Sequence, residues 1–343
     1  MTPEEAADTA DPQVDDDSLH DNSLNYDSLD TDSQVALLRP VAESGARAFG
    51  IDPVSVDLVL HGFNSTFRVD GAGGVTVAVR VHTNSFSTPA HIHAHTAWMR
   101  DLARDTSIRL PVPLLTPEGE SVTEVDGRLV TAATWLEGDD VDTLDRAQGR
   151  ELGRIMARLH EHARGWTIPE GGSLTTYDDP LLGDENRLTR AYADRPEDRA
   201  LIEWAFDRCS AAMTAAAEAE PAIVIHADLH GGNLKWHEGE MSVFDFDDCG
   251  LGVRAFDLAI STFYRRGGDA AVEEAVRQGY SEVLDLPELP DEVFEGMVAS
   301  RQLLLANDLL RSSNTELREM AIEYLDRTVQ RLQRWWDTGR FTL

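Results

Sequence analysis

Ile223-Val224-Ile225-His226-Ala227-Asp228-Leu229-His230-Gly231-Gly232-Asn233-Leu234 decides the reading of this chain, and Val243-Phe244-Asp245-Phe246 follows shortly after it. A short apolar run with β-branched residues enters a polar loop containing two glycines, and a second apolar run begins beyond residue 240. Between them His237-Glu238-Gly239-Glu240 carries a turn signal, so residues 234–244 read as a hairpin that returns Asp245 beside Asn233. Upstream, β-type runs at 54–61, 65–69 and 75–81 are separated by Asn64 and by Asp70-Gly71-Ala72-Gly73-Gly74. Two more, at 120–125 and 128–135, turn at Asp126-Gly127, and helical patterns fit 34–49, across Pro40, and 89–104. Downstream the helical period dominates: 144–163 places Leu152, Ile155, Met156 and Leu159 on one face, and further helices fit 195–218, 269–283, 291–312 and 315–336. An antiparallel sheet with a helix over 33–136, followed by a mainly helical lobe over 137–343 with a β insert, is an α+β, two-lobed plan.

Composition narrows the function. The 62 acidic residues outnumber 30 basic ones, and a net charge of −32 repels nucleic acid and anionic membrane alike. No apolar stretch reaches the roughly 18 residues of a membrane span, and the first residues lack the basic and apolar regions of a signal peptide, which leads us to expect a cytoplasmic protein. Cys209 and Cys249 are too few for a disulfide framework and do not form a C-x-x-C pair. Lys235 is the only lysine. An acidic, lysine-poor surface has two readings, a high-salt cytoplasm or a GC-rich genome. Residues 1–32, with Asp15-Asp16-Asp17-Ser18 and Asp27-Ser28-Leu29-Asp30, bury too little apolar surface to offset ordering and read as a disordered acidic tail. The oligomeric state is not legible.

The chemistry resides in the opening stretch. Asp228 and Asn233 stand in the D-x-x-x-x-N spacing in which a carboxylate accepts a hydroxyl's proton and an amide oxygen ligates Mg²⁺ for phosphoryl transfer. Asp245, returned by the hairpin, supplies the second oxygen ligand. A lone copy of this spacing recurs by chance, and capping or turn roles explain its Asp, Asn and glycines equally well. The context raises its meaning: an apolar strand precedes it, an acid-ended hairpin follows, and Arg254-Ala255-Phe256-Asp257-Leu258-Ala259 comes next.

Segments 226–233, 243–248 and 256–259 resemble the motifs of the aminoglycoside phosphotransferase superfamily, which includes aminoglycoside, choline and homoserine kinases and a bacterial stress-response kinase. The resemblance extends over 51–336 and is most specific in the second lobe. It implies a two-lobed, protein-kinase-like fold, ATP and Mg²⁺ as cofactors, and a small hydroxylated amine, amino acid or sugar as acceptor. It also implies a catalytic centre of Asp228, His226 and Asp257, with Asp228 as base and Asp257 as a buried brace of the loop, and Asn233 and Asp245 as Mg²⁺ ligands. An ordinary N-cap of the next helix would account for Asp257 as well.

In the first lobe the resemblance places Arg80 where the phosphate-binding lysine of the third strand belongs; a surface strand arginine is the plain alternative. It places Asn64, Ser65 and Thr66 in the nucleotide-covering loop, and Thr134, Trp135 and Leu136 in the interlobe linker that meets adenine. It departs at the helix, where the usual glutamate is replaced by His95, which cannot pair electrostatically with Arg80. A nucleotide-binding module without turnover therefore stands as an alternative, beside a protein Ser/Thr kinase. His91, His93 and His95 allow a metal reading, although packing histidines on a helix are commoner. Asp247 and Asp248 would favour a cationic acceptor, and segments 166–184 and 299–310 are candidate pocket walls.

Overall fold

Hydrophobic alternation builds the first lobe. In the computed structural model, which describes Tyr26 and residues 28–83, 88–141, 143–312 and 314–343, helix α1 (Thr31–Ala48) precedes strands β1 (Pro53–His61), β2 (Ser65–Gly71) and β3 (Thr76–Val81). Helix α2 (Pro89–Asp105) follows, then β4 (Thr123–Val125) and β5 (Arg128–Thr134). The five strands form one antiparallel sheet in the order β1-β2-β3-β5-β4. Strands β2 and β3 alternate strictly between buried and half-buried residues, and Phe67, Val69, Val77, Val79 and Val130 pack against Leu38, Val41 and Ala42 of α1. The Asp30 side chain caps α1 by accepting from the Ser33 amide at 2.8 Å. The acidic tail expected over 1–32 lies outside the described residues up to residue 25; Tyr26 is buried, and Thr31 and Asp32 already belong to α1.

A short strand, β6 (Asp139–Asp140), leads into α3 (Arg146–Ala163), followed by β7 (Thr175–Thr176), α4 (Leu188–Ala191) and α5 (Pro196–Ala219). Strand β8 (Ile223–Ile225) opens the loop of interest, which ends in a 3-10 turn over Gly231–Asn233. The expected hairpin is β9 (Leu234–His237) with β10 (Glu240–Val243), and its turn residues Glu238 and Gly239 both have positive φ, 52° and 86°. Then come β11 (Gly250–Gly252), α6 (Arg254–Phe263), α7 (Ala270–Ser281), α8 (Asp291–Arg311) and α9 (Thr315–Thr338). β8 pairs with β11, and β11 with β7. Helices α5, α6, α8 and α9 enclose the core of the second lobe around Ile202, Phe256, Ile260, Met297 and Trp335.

The lobes share a third core. Trp98 and Leu102 of α2 pack with Leu152 and Met156 of α3, with Leu234 of β9 and with Phe246 just past β10. The Trp98 ring meets Phe246 edge-on at 5.7 Å. Backbone pairing reinforces the joint, because β6 pairs with β9 and the Val243 amide donates to the Arg109 carbonyl at 2.9 Å. Lys235 fixes the linker from below, donating to the Gly138 carbonyl at 3.2 Å and to Asp140 Oδ1 at 2.8 Å.

Candidate active site

The loop after β8 is held from behind. Ala227 adopts φ 63°, a left-handed conformation that disfavours any residue with a Cβ. Asp257 Oδ1 accepts the Ala227 amide at 2.6 Å, and its Oδ2 accepts the His226 amide at 3.1 Å. His160 adds a third contact through Nε2, 2.9 Å from Asp257 Oδ2, while its Nδ1 lies 2.9 Å from the Tyr280 hydroxyl. Asp257 is fully buried and sits in the first turn of α6, whose N-cap is Val253. The N-cap alternative is therefore not what the structure shows: the carboxylate serves the loop's amides. His226 is buried too; its Nε2 faces the Phe244 carbonyl at 3.2 Å and its Nδ1 accepts the Asp228 amide at 3.3 Å. Those contacts require a neutral ring with the proton on Nε2, and burial pushes its pKa down. His226 and Asp257 thus stand behind the wall and position it.

In front of that wall is a cavity of about 650 Å³, lined by Asp228, Asn233, Asp245, Asp247, Arg80 and Arg301 among others. Asn233 Nδ2 donates to the Asp228 carbonyl at 2.9 Å and to Asp228 Oδ2 at 2.7 Å, which turns the amide oxygen away from Asp228. On the other side Arg301 donates to Asp228 Oδ1 and, through Nη2, to the Tyr264 hydroxyl at 3.0 Å. Burial alone would raise the Asp228 carboxyl, but the Arg301 guanidinium and His230 reverse this and hold it well below the usual carboxylate range. His230 stacks on Tyr264 with ring centroids 4.1 Å apart, placing its Nε2 3.4 Å from Asp228 Oδ2.

Asp245 also adopts φ 63°. Burial raises its pKa, Arg80 lowers it, and the neighbouring Asp247 and Asp228 add to the rise. Such a site favours a cation. The amide oxygen of Asn233 and the carboxylate of Asp245 are the hard oxygen donors that Mg²⁺ prefers. Among the described residues no three His, Cys, Asp or Glu side chains form a complete metal cage. Two protein oxygens with phosphates and water completing the shell is the arrangement expected of a nucleotide-bound Mg²⁺.

The first-lobe candidates divide. Arg80 reaches the cavity and bridges two carboxylates, Nη2 lying 3.1 Å from Asp245 Oδ1 and Nε 2.7 Å from Asp247 Oδ2. Asn64 lines the cavity but its amide is committed, donating to Asp247 Oδ2 at 2.8 Å and accepting the Thr83 amide at 3.2 Å. Ser65 is fully buried with its hydroxyl 2.7 Å from His61 Nδ1, and Thr66 pairs in register with Arg80 within the sheet. Thr134, Trp135 and Leu136 connect the lobes without lining the cavity. Asp247, engaged by Arg80 and Asn64, is not free to meet an acceptor.

Both expected walls are present, and they bring residues that the motifs did not reveal. Tyr177, Leu181, Leu182 and Asp184 come from the 166–184 segment; Arg301, Leu304, Leu305 and Asp308 come from α8. Arg301 left no sequence signal, because α8 is buried on nearly all sides and carries no polar stripe. His91 and His95 share the buried face of α2, as i, i+4 spacing requires, with ring centroids 5.5 Å apart.

A β-sheet lobe and a helical lobe thus meet at a cleft lined by the carboxylate of Asp228, the amide of Asn233 and the guanidinium of Arg80. The chain belongs to the phosphotransferase enzyme family, whose model matches residues 58–292. An uncharacterized protein of Deinococcus radiodurans is 30% identical over 233 residues, covering 66% of this chain and 67% of its own length. Amicoumacin kinase of Bacillus subtilis is 28% identical over 171 residues, and the matched part is 49% of that enzyme. The structure of a microcompartment-associated aminopropanol kinase superposes with a TM-score of 0.70 at 23% identity, covering 87% of this chain and 98% of that one.

Proposed function

We propose that this chain transfers the γ-phosphoryl group of ATP to a hydroxyl of a small molecule, with Asp228 receiving the hydroxyl and Asn233 and Asp245 holding Mg²⁺. The observation that carries the reading is the convergence of Asp228, Asn233, Asp245 and Arg80 on one cavity. Asn233 and Asp245 would hold the Mg²⁺, which would supply positive charge against that developing on the transferred phosphoryl group. Arg80 contributes a fixed positive charge at the nucleotide end. Asp228, held by Asn233 and Arg301, presents a charged oxygen at the acceptor end. The acceptor end mixes signs: Arg301 and Arg311 face Asp184, Asp248 and Asp308. A small amino alcohol, amino acid or amino sugar suits that mixture better than a plain anion.

The test couples binding to turnover. Mg-ATP should raise the melting temperature of the wild type and not of Asp245→Ala, and hydroxylated amines, amino acids and sugars should then be screened for ATP consumption. With an acceptor in hand, Asp228→Asn should lower kcat by about 100-fold or more in a protein that still binds nucleotide. A wild type that binds nucleotide yet turns over no acceptor favours the second reading, a nucleotide-binding module. The departures at Arg80 and His95, an arginine for the strand lysine and a buried histidine for the helix glutamate, favour that reading. No thermal shift with saturating Mg-ATP would sink both.

A further inference from the structure

We propose that Asp247 is the anchor of Arg80: the carboxylate that positions the phosphate-facing cation comes from the loop two residues beyond Asp245 and not from helix α2. This rests on the nucleotide-binding reading above. Arg80 touches two carboxylates, but they are held differently. Asp247 Oδ2 lies 2.7 Å from Arg80 Nε as a close ion pair without hydrogen-bond geometry, whereas the hydrogen bond from Arg80 goes to Asp245. Asp247 Oδ2 also accepts Asn64 Nδ2 at 2.8 Å, and its backbone carbonyl faces His91 Nε2 at 2.9 Å. Strand β3, the loop between β1 and β2, and helix α2 therefore all close on one residue. Asp245 is held only through Arg80 Nη2, at 3.1 and 3.3 Å from its two oxygens, among the hydrogen bonds and ion pairs of the described residues. Asp247 is the carboxylate built to stay, and Asp245 the one free to change partner.

The helix cannot supply the charge. His95 stands where the family resemblance expects the helix glutamate, is buried, and has no hydrogen-bond partner on either ring nitrogen among the described residues. A ring buried this way stays neutral. Helix α2 is left with a neutral tether, the His91 contact to the Asp247 carbonyl. The charge has moved from helix to loop, and it sits in the same segment as the metal-ligand position. The orientation of Arg80 is consequently tied to that segment and not to movement of α2.

The experiment measures the Kd of a Mg-bound, nonhydrolysable ATP analogue by calorimetry for wild type, Asp247→Asn, Arg80→Met and the double variant. Asp247→Asn should weaken binding about tenfold or more while the ligand-free melting temperature stays near the wild type's. In the Arg80→Met background the same change should cost nothing further, since Asp247 acts through Arg80. Wild-type affinity in Asp247→Asn, or losses that simply add in the double variant, would overturn the anchor. Where Asp247→Asn alone does not fold, Asp247→Asn combined with His95→Glu decides. Nucleotide binding restored by the helix carboxylate supports exchange of the anchor, and a folded double variant that does not bind removes it. A wild type that binds no nucleotide overturns the functional reading itself, and the anchor with it.

Discussion

His82 and His95 show how a residue's surroundings set its behaviour. Unfolded, each ring titrates near 6.5; in the fold, burial lowers His82 to about 4 and His95 to about 3, with Asp247 opposing the shift and Arg80 and His91 reinforcing it. Above pH 6.5 both states are neutral and the rings cost nothing through protonation. As pH falls below that value the unfolded chain takes up protons that the folded chain refuses, so stability drops by up to about 1.4 kcal/mol per pH unit for each ring. The loss continues toward the folded values. Urea melts from neutral to mildly acidic pH should show this slope, and His95→Met should reduce it by about one proton; an unchanged slope would refute the assignment. The sequence marked Asp228, Asn233 and Asp245 because their spacing is local and the hairpin closes it, whereas Asp257 was marked by the family resemblance. It was silent on Arg301, which lies 73 residues from Asp228 and meets it only through packing of the second lobe.

Helices α3 and α7 illustrate the element scale. They cross so closely that a Cβ on Gly279 would lie 1.8 Å from the Arg150 carbonyl oxygen, and one on Gly153 would lie 2.0 Å from that of Val276. This contact also carries His160 and Tyr280, which support Asp257. Gly279→Ala should therefore destabilise by about 3 kcal/mol, read by chemical denaturation. Gly165→Ala, where an added Cβ meets nothing within 4 Å, should stay within about 0.5 kcal/mol. Strands and long helices were legible because their apolar periods are strong, as in β2, β3 and α3. The two- and three-residue strands β4, β6, β7, β8 and β11 offer little or no period, and only β4 and β8 were anticipated, through the β-type run at 120–125 and the apolar run Ile223-Val224-Ile225. Helix α6, only ten residues long and buried from Ala255 to Phe263, was not among the helical patterns read from the sequence. β1 shows the reverse: its apolar Val54, Val59 and Leu60 are 74%, 52% and 57% exposed at the sheet edge, so composition named the strand but not its surroundings.

The whole molecule carries a net charge of −32, and its carboxylates crowd the cleft as well as the surface. Arg80 and Arg301 offset that repulsion locally by bridging acids from opposite sides of the cavity. Repulsion across the surface is offset in part by ion pairs such as Arg109–Glu240 and Arg199–Glu203 and otherwise by salt, since the Debye length shrinks from about 30 Å in dilute buffer to about 3 Å at molar ionic strength. The melting temperature should rise steadily from dilute buffer to molar sodium chloride; a flat or falling curve would show that the acidic surface costs the fold nothing. The two-lobed plan was legible from the order of strand and helix patterns alone. The closure of the cleft was not, because its contacts, from Asn64 and Arg80 to Asp247, join residues far apart in sequence.

The linker between the lobes has one more property. Lys235, held against Gly138 and Asp140, is the chain's single side-chain amine. Acylating reagents, reductive methylation and amine crosslinkers therefore find one internal target, and it lies at the joint between the lobes. A dye coupled there would report on that joint with no background from other lysines, and a modification that removes its charge would release the linker from the hairpin at a single defined atom.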